Sequence, residues 1–210
     1  MSPVRPLLGC GLAAPLLFLA TDLLAIARAS GYRPMRQSIS ELTAVGAPTR
    51  PLVTALRVTG GSLMAAFATG VTATAGGSRA LAATGGLVAA NAALDAFATA
   101  AVPRDYASPT WSPRNTANTV VMAVGVGCFV AAMGTGAVAV RGPFRAFSAG
   151  IPLSYGLLTA LSLLVRSRDE PLSSTGAQER TMAYTYQLWV AVLASLLLRR
   201  QSLSRKADLG

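Results

Sequence analysis

Two aspartates stand inside stretches of sequence otherwise suited to hydrocarbon. Asp22 interrupts the run Leu16-Leu17-Phe18-Leu19-Ala20-Thr21-Asp22-Leu23-Leu24, and Asp95 interrupts an alanine-rich run from Ala80 to Val102. A carboxylate at the centre of a membrane helix costs about 2.5–3.5 kcal/mol even on the most lenient scale, so each acid needs a partner, water or a proton. At a rise of 1.5 Å per residue, Asp22 lies about 8 Å and Asp95 about 10 Å below the ends of their segments. The two acids therefore share a depth. Asn91, Asp95 and Thr99 recur at i, i+4 and i+8 and occupy one helix face, as do Arg180, Tyr184 and Gln187 at i, i+4 and i+7. Arginine suits a buried acid because its planar fork satisfies both carboxylate oxygens.

This set admits three kinds of chemistry. An acid kept protonated by apolar surroundings donates a proton. A polar pocket holds a head group. Or each acid pairs with an arginine and only fixes the bundle. The expectation is that Asp22, Asp95 and Arg180 form one polar cluster, with Glu41, Asp105 or Arg114 near its mouth. Asn91, Asn118, Tyr184 and Gln187 complete the candidate ligand-binding set, with Asp22 and Asp95 the candidate catalytic acids. Around Glu41, Ser38 or Ser40 is placed to cap a short helix. Ile39, Leu42 and Val45 recur at helical spacing, which predicts an amphipathic turn on the membrane surface.

Composition removes many alternatives. The 210 residues contain no histidine, which excludes a Ser-His-Asp triad, a His-ligated zinc site and a haem with a histidine ligand. Cys10 and Cys128 are too few for a thiolate cluster and read as small apolar fillers. There is no nucleophile–base pair, phosphate loop or metal-ligand spacing, so no cofactor or metal is called for. The net charge of +10 comes with 52% hydrophobic and only 12% charged residues, about half the charged share of a soluble domain. The arginines lie in short segments between apolar blocks, where they anchor helix ends, rather than on a soluble face with stacking aromatics. Nucleic acid is not the expected partner.

The elements that position these residues follow from the length of the apolar blocks. A bilayer core of about 30 Å takes roughly 20 apolar residues per helix. The chain supplies six such spans: Leu7–Ala27, Leu52–Ala75, Ala80–Val102, Thr116–Val140, Ala146–Val165 and Thr181–Leu198. They predict one all-α domain over residues 1–210, a polytopic bundle of six transmembrane helices. Gly76-Gly77-Ser78, Pro103, Gly142-Pro143 and Pro171 punctuate the boundaries. The first block exceeds a signal's apolar core and holds Asp22, so it reads as an uncleaved helix. With an even helix number, both termini share a side. That side carries Arg5, Arg79, Arg141, Arg145, Arg199, Arg200, Arg205 and Lys206 in short, purely basic loops and a basic tail. The other ten arginines lie in longer loops with Glu41, Asp105, Asp169, Glu170 and Glu179. The positive-inside rule then puts both termini in the cytoplasm of a cell-membrane protein. Glycines 60, 61 and 70, and 125, 127, 134 and 136, allow close helix packing, within the bundle or between copies in a homo-oligomer.

Several of these features recur together in one order. A first-helix aspartate (Asp22) precedes Gly31-Tyr32, Ser38-Ile39-Ser40-Glu41-Leu42 and a proline-bearing segment. Pro103-Arg104-Asp105 follows the third helix, and Gly176-Ala177-Gln178-Glu179-Arg180 enters the sixth. In this order the chain resembles, over nearly its whole length, the bacterial and archaeal six-helix membrane family catalogued as domain of unknown function 998. Members often carry a histidine near the start of the fourth helix, where this chain has Arg114-Asn115. The resemblance implies the fold and the place of the polar site, and names no activity.

Two functional expectations from different classes follow. One is a membrane protein whose outward-facing polar pocket binds or moves a lipid or small amphiphile. The other is an intramembrane enzyme acting on a lipid or isoprenoid, with an aspartate as general acid. An accessory bundle that assembles with a partner is a third.

Overall fold

In the computed structural model, which describes residues 3–165 and 175–207, six helices follow one another with no strand among the described residues. They are α1 (Val4–Arg28), α2 (Arg50–Ala73), α3 (Arg79–Ala101), α4 (Pro113–Ala139), α5 (Pro143–Val165) and α6 (Thr175–Ala207). Five contain segments long and apolar enough to cross a membrane: α1 to α4, and Gly176–Leu203 within α6. The protein is a helical membrane bundle. Pro171 and the loop charges Arg166, Arg168, Asp169 and Glu170 lie outside the described residues.

Local chemistry sets the boundaries. Gly76 and Gly77 take φ of 53° and 88°, left-handed values that suit glycine, and turn the chain between α2 and α3. Ser78 then caps α3 by accepting from the Leu81 amide, and Ser112 caps α4 through the Asn115 amide. Pro51 and Pro113 occupy first-turn positions, where a missing N–H costs nothing. Gly142, at φ 88°, separates α4 from α5. The sixth helix starts earlier than its apolar run, so Glu179 and Arg180 belong to its first turns.

The helices pack in a ring that follows chain order, with α1 against α2 and α6, α3 between α2 and α4, and α5 between α4 and α6. One end of the ring is filled. There Trp189, Phe67, Leu8, Met133 and Leu193 are fully buried. The Trp189 ring stacks near Phe144 and Tyr186, and its Nε1–H donates to Ser148 Oγ at 2.8 Å. Lipid tails are as apolar as leucine, so this end is held by close packing rather than by exclusion from water. Gly11 shows how close: a methyl there would collide with the Phe67 ring and Ala194. Leu16, Leu23, Val120, Val138 and Leu153 point outward, as a lipid-facing surface requires. The opposite end, which gathers the C-termini of α1 and α3 and the N-termini of α2, α4 and α6, is hollow and polar.

Over that end lies a short 3₁₀ turn (Ile39–Thr43). Ser38 precedes it, and Glu41 reaches back to accept from the Ser38 amide at 3.0 Å, half of a capping box. The amphipathic turn expected on the membrane surface is corrected here. Ile39 and Leu42 are buried, Leu42 packing with Ala25 and Val53, and only Val45 stays exposed. The turn rests its apolar face on the bundle because Tyr32, Arg180 and Glu179 hold it down.

Candidate functional site

The two acids do not share one cluster. Asp22 pairs with Arg180 and Asp95 pairs with Arg57, each across a separate pair of helices. This corrects the expectation that Asp22, Asp95 and Arg180 come together. The reason is that α2 supplies its own arginine to Asp95.

The first pair is closed. Arg180 Nε and Nη2 donate to Asp22 Oδ2 and Oδ1 at 2.9 and 3.1 Å, a bidentate fork. Its Nη2 also donates to Tyr32 Oη at 2.8 Å, and its Nη1 donates to the Pro34 and Gln37 carbonyls. A guanidinium has five N–H donors, and here every one has an acceptor. Tyr184 donates its hydroxyl to Asp22 Oδ2. The Tyr32 hydroxyl passes its own hydrogen to the Ser38 and Gln37 carbonyls at 2.7 and 3.0 Å. Burial pushes the Tyr32 phenol above its ordinary value, against the opposing pull of Arg180. Gly176 makes this approach possible, since a side chain there would run into the Pro34 and Gln37 carbonyls. The network ties α1, α6 and the 29–38 segment together and leaves no donor of Arg180 for a ligand.

The second pair is open. Arg57 Nη2 donates to Asp95 Oδ1 at 2.7 Å, and the two side chains are 13% and 30% exposed. Among the described residues, Arg57 Nε is buried with no hydrogen-bond partner. The Arg57 guanidinium lies 5.8 Å from the Phe18 ring centre, close enough for a cation–π contact. Phe18 in turn meets Tyr184 edge-on at 6.1 Å. One aromatic ring thus stands between the open pair and the closed network.

The open pair lines a cavity of about 690 Å³. Its mouth is built by the 3₁₀ turn with Glu41, by Arg36, and by Arg104 and Tyr106 of the α3–α4 loop. Its inner wall is mainly apolar, with Ala14, Gly60, Met64, Ala92 and Phe129. Ser38 and Tyr106 hydroxyls meet at 2.9 Å, and the Val45 amide donates to the Arg104 carbonyl at 2.9 Å, so the two loops are joined across the mouth. Glu179 also lines the cavity and accepts from the Ile39 amide at 2.8 Å.

The remaining candidates divide accordingly. Glu41, Asn91, Asp95, Asn118 and Gln187 line the cavity. Asn91 donates to the Gly125 carbonyl at 3.0 Å and Asn118 to the Val102 carbonyl at 2.8 Å, so both also join helices. Asp22, Arg180 and Tyr184 form the closed network behind it. Asp105 instead organises its own loop, accepting from Ser108 Oγ and the Ala107 amide, which hold its carboxyl below the usual carboxylate range. Arg114 points to the surface and is not part of the cavity lining. Sequence reasoning missed Arg57 and Phe18, and it named Tyr32, Arg104 and Glu179 only within the segments around the site, not as members of it. The signal for Arg57 was present: a cation inside an apolar span that also lacked an assigned acid.

Fold and site together define a polytopic helical membrane protein with a polar cavity at one end of its bundle. Residues 12–196 match the family described as Protein of unknown function (DUF998), and the chain belongs to that family. No curated protein and no solved structure matched the chain in comparison.

Proposed function

We propose that this protein binds or moves a lipid or small amphiphile in the cavity between α1, α2, α3, α4 and α6. The observation that carries this reading is the cavity's two-part wall. An apolar interior of aliphatic and aromatic side chains meets one partly exposed ion pair, Arg57–Asp95, below a polar mouth. A volume of about 690 Å³ falls within the range of roughly 300–1,000 Å³ typical of small-molecule pockets. The apolar part accepts a chain, and the ion pair and rim receive a head group.

In the cell membrane, both termini lie in the cytoplasm and the mouth faces outward, because the short basic loops sit at the filled end. The Asp22–Arg180 network serves as the frame that keeps the 3₁₀ turn over the mouth.

Filling the cavity is the direct test. A Cβ at Gly60 meets only Leu17, at 3.9 Å, so a larger side chain enters there without a clash at its base. Gly60→Leu is expected to keep a folded, monodisperse protein and to lose at least about tenfold in affinity for a bound amphiphile, the loss that 1.4 kcal/mol represents. Unchanged retention of native lipid by mass spectrometry would contradict the reading.

A further inference from the structure

Size and charge narrow the ligand further, given the binding function proposed above. A cavity of about 690 Å³ lies within the roughly 300–1,000 Å³ of pockets that take ligands of drug size. A single acyl or isoprenoid chain with a small head is of that size, and a lipid with two full chains is larger. The charged lining is balanced. Arg36, Arg57 and Arg104 face the same space as Glu41, Asp95 and Glu179. Among the described residues only the Arg57–Asp95 pair of this set is in ion-pair contact. Glu41 and Glu179 are held by the Gln37 side chain and by the Ser38 and Ile39 amides, and Arg104 lies over the Tyr106 ring. Introducing a net charge into a low-dielectric site whose own charges already cancel is unfavourable unless that charge finds a new partner. A head group that carries no net charge, and both donates and accepts hydrogen bonds, leaves the balance intact. It finds donors on the arginines and acceptors on the carboxylates.

We infer that the cavity takes a single-chain amphiphile with a net-uncharged, hydrogen-bonding head, seated with the head at Arg57–Asp95 and the mouth and the chain along Met64 and Phe129. Glycerol monoesters and zwitterionic lysolipids share this chemistry.

The test uses the full chain in nanodiscs of dimyristoylphosphatidylcholine, which is itself the two-chain competitor. Myristoylglycerol, myristoyl-lysophosphatidylcholine, myristoyl-lysophosphatidate and tetradecyltrimethylammonium are added in equal amounts, and bound species are read by native mass spectrometry. The first two are expected to bind at least about tenfold better than the charged pair, a 1.4 kcal/mol preference, and to displace the host lipid. Asp95→Asn leaves Arg57 uncompensated and should shift the preference toward lysophosphatidate. Arg104→Gln, at the rim, should shift it toward the trimethylammonium probe and carries the test if Asp95→Asn does not fold. Occupancy by the two-chain host lipid, a wild-type preference for either charged probe, or a ranking unmoved by Arg104→Gln overturns the assignment while leaving an amphiphile site in place. If no probe binds and Gly60→Leu changes nothing, the binding function falls with it.

Discussion

Arg180 holds both carboxylate oxygens of Asp22, and its remaining donors are all taken by Tyr32, Pro34 and Gln37. Arg57 holds one oxygen of Asp95 and leaves its Nε without a partner. Two arginine–aspartate pairs at one end of one bundle therefore have different work: the first fixes the frame, the second faces the cavity.

The closed pair is the more costly to break. The Asp22 and Arg180 side chains are only 2% and 8% exposed. Removing one partner of a buried pair strands the other, at about 3–5 kcal/mol. Asp22→Ala should lose stability on that scale, and Asp22→Asn, which keeps shape and most hydrogen bonding, should lose less. Denaturation in detergent measures both. Equal losses would show that the charge, rather than the fork geometry, carries the frame.

Tyr32 provides the pH dependence. The folded chain holds the phenol proton more tightly than the unfolded chain, because burial raises its pKa. Its contribution is therefore complete below about pH 10 and is lost as pH rises through the raised value. Melting temperature should fall more steeply above about pH 10 in the wild type than in Tyr32→Phe. Parallel curves would remove Tyr32 from this role. Tyr32→Phe should also lower stability near neutrality by about 1–3 kcal/mol, since an Arg180 N–H loses its acceptor.

Packing at the filled end gives a prediction independent of the site. Gly11→Ala places a methyl against the Phe67 ring and Ala194. Overpacking of this kind costs about 1–3 kcal/mol. The loss should appear in thermal melting with ligand affinity unchanged, because Gly11 does not line the cavity. A loss of affinity without a loss of stability would contradict the separation of core from cavity.

Topology is tested by reporter fusions at Arg79, the first residue of α3, and in the α3–α4 loop at Ser108. Arg79 is expected inside and Ser108 outside. The same side for both, or the reverse, would overturn the orientation.

The helices were legible because each must supply about 20 apolar residues, and Gly76-Gly77, Pro103 and Gly142-Pro143 mark where they stop. The shared face of Arg180 and Tyr184 was legible from helical period, and the place of Asp22 and Asp95 near the ends of their helices from counting residues. Which acid meets which arginine was not, since that depends on how each helix is rotated against its neighbours. Arg57 was the main casualty. It stands seven residues past Arg50, where a long side chain can snorkel outward, so its charge reads as one of the outer loop charges. Ile39 and Leu42 had the right period for an amphipathic turn, but period does not say whether lipid or protein covers the face. The Pro34 and Gln37 carbonyls that complete the Arg180 shell are backbone groups, and no side-chain pattern marks them.

The most direct test of the division between frame and site compares Asp95→Asn with Asp22→Asn in one binding measurement. With each protein shown to be folded and monodisperse, the affinity for myristoylglycerol is measured in nanodiscs beside the wild type. At least about a tenfold loss is expected in Asp95→Asn, and less than about threefold in folded Asp22→Asn, where tenfold corresponds to 1.4 kcal/mol. Equal affinities in wild type and Asp95→Asn, or a loss confined to Asp22→Asn, would contradict that division.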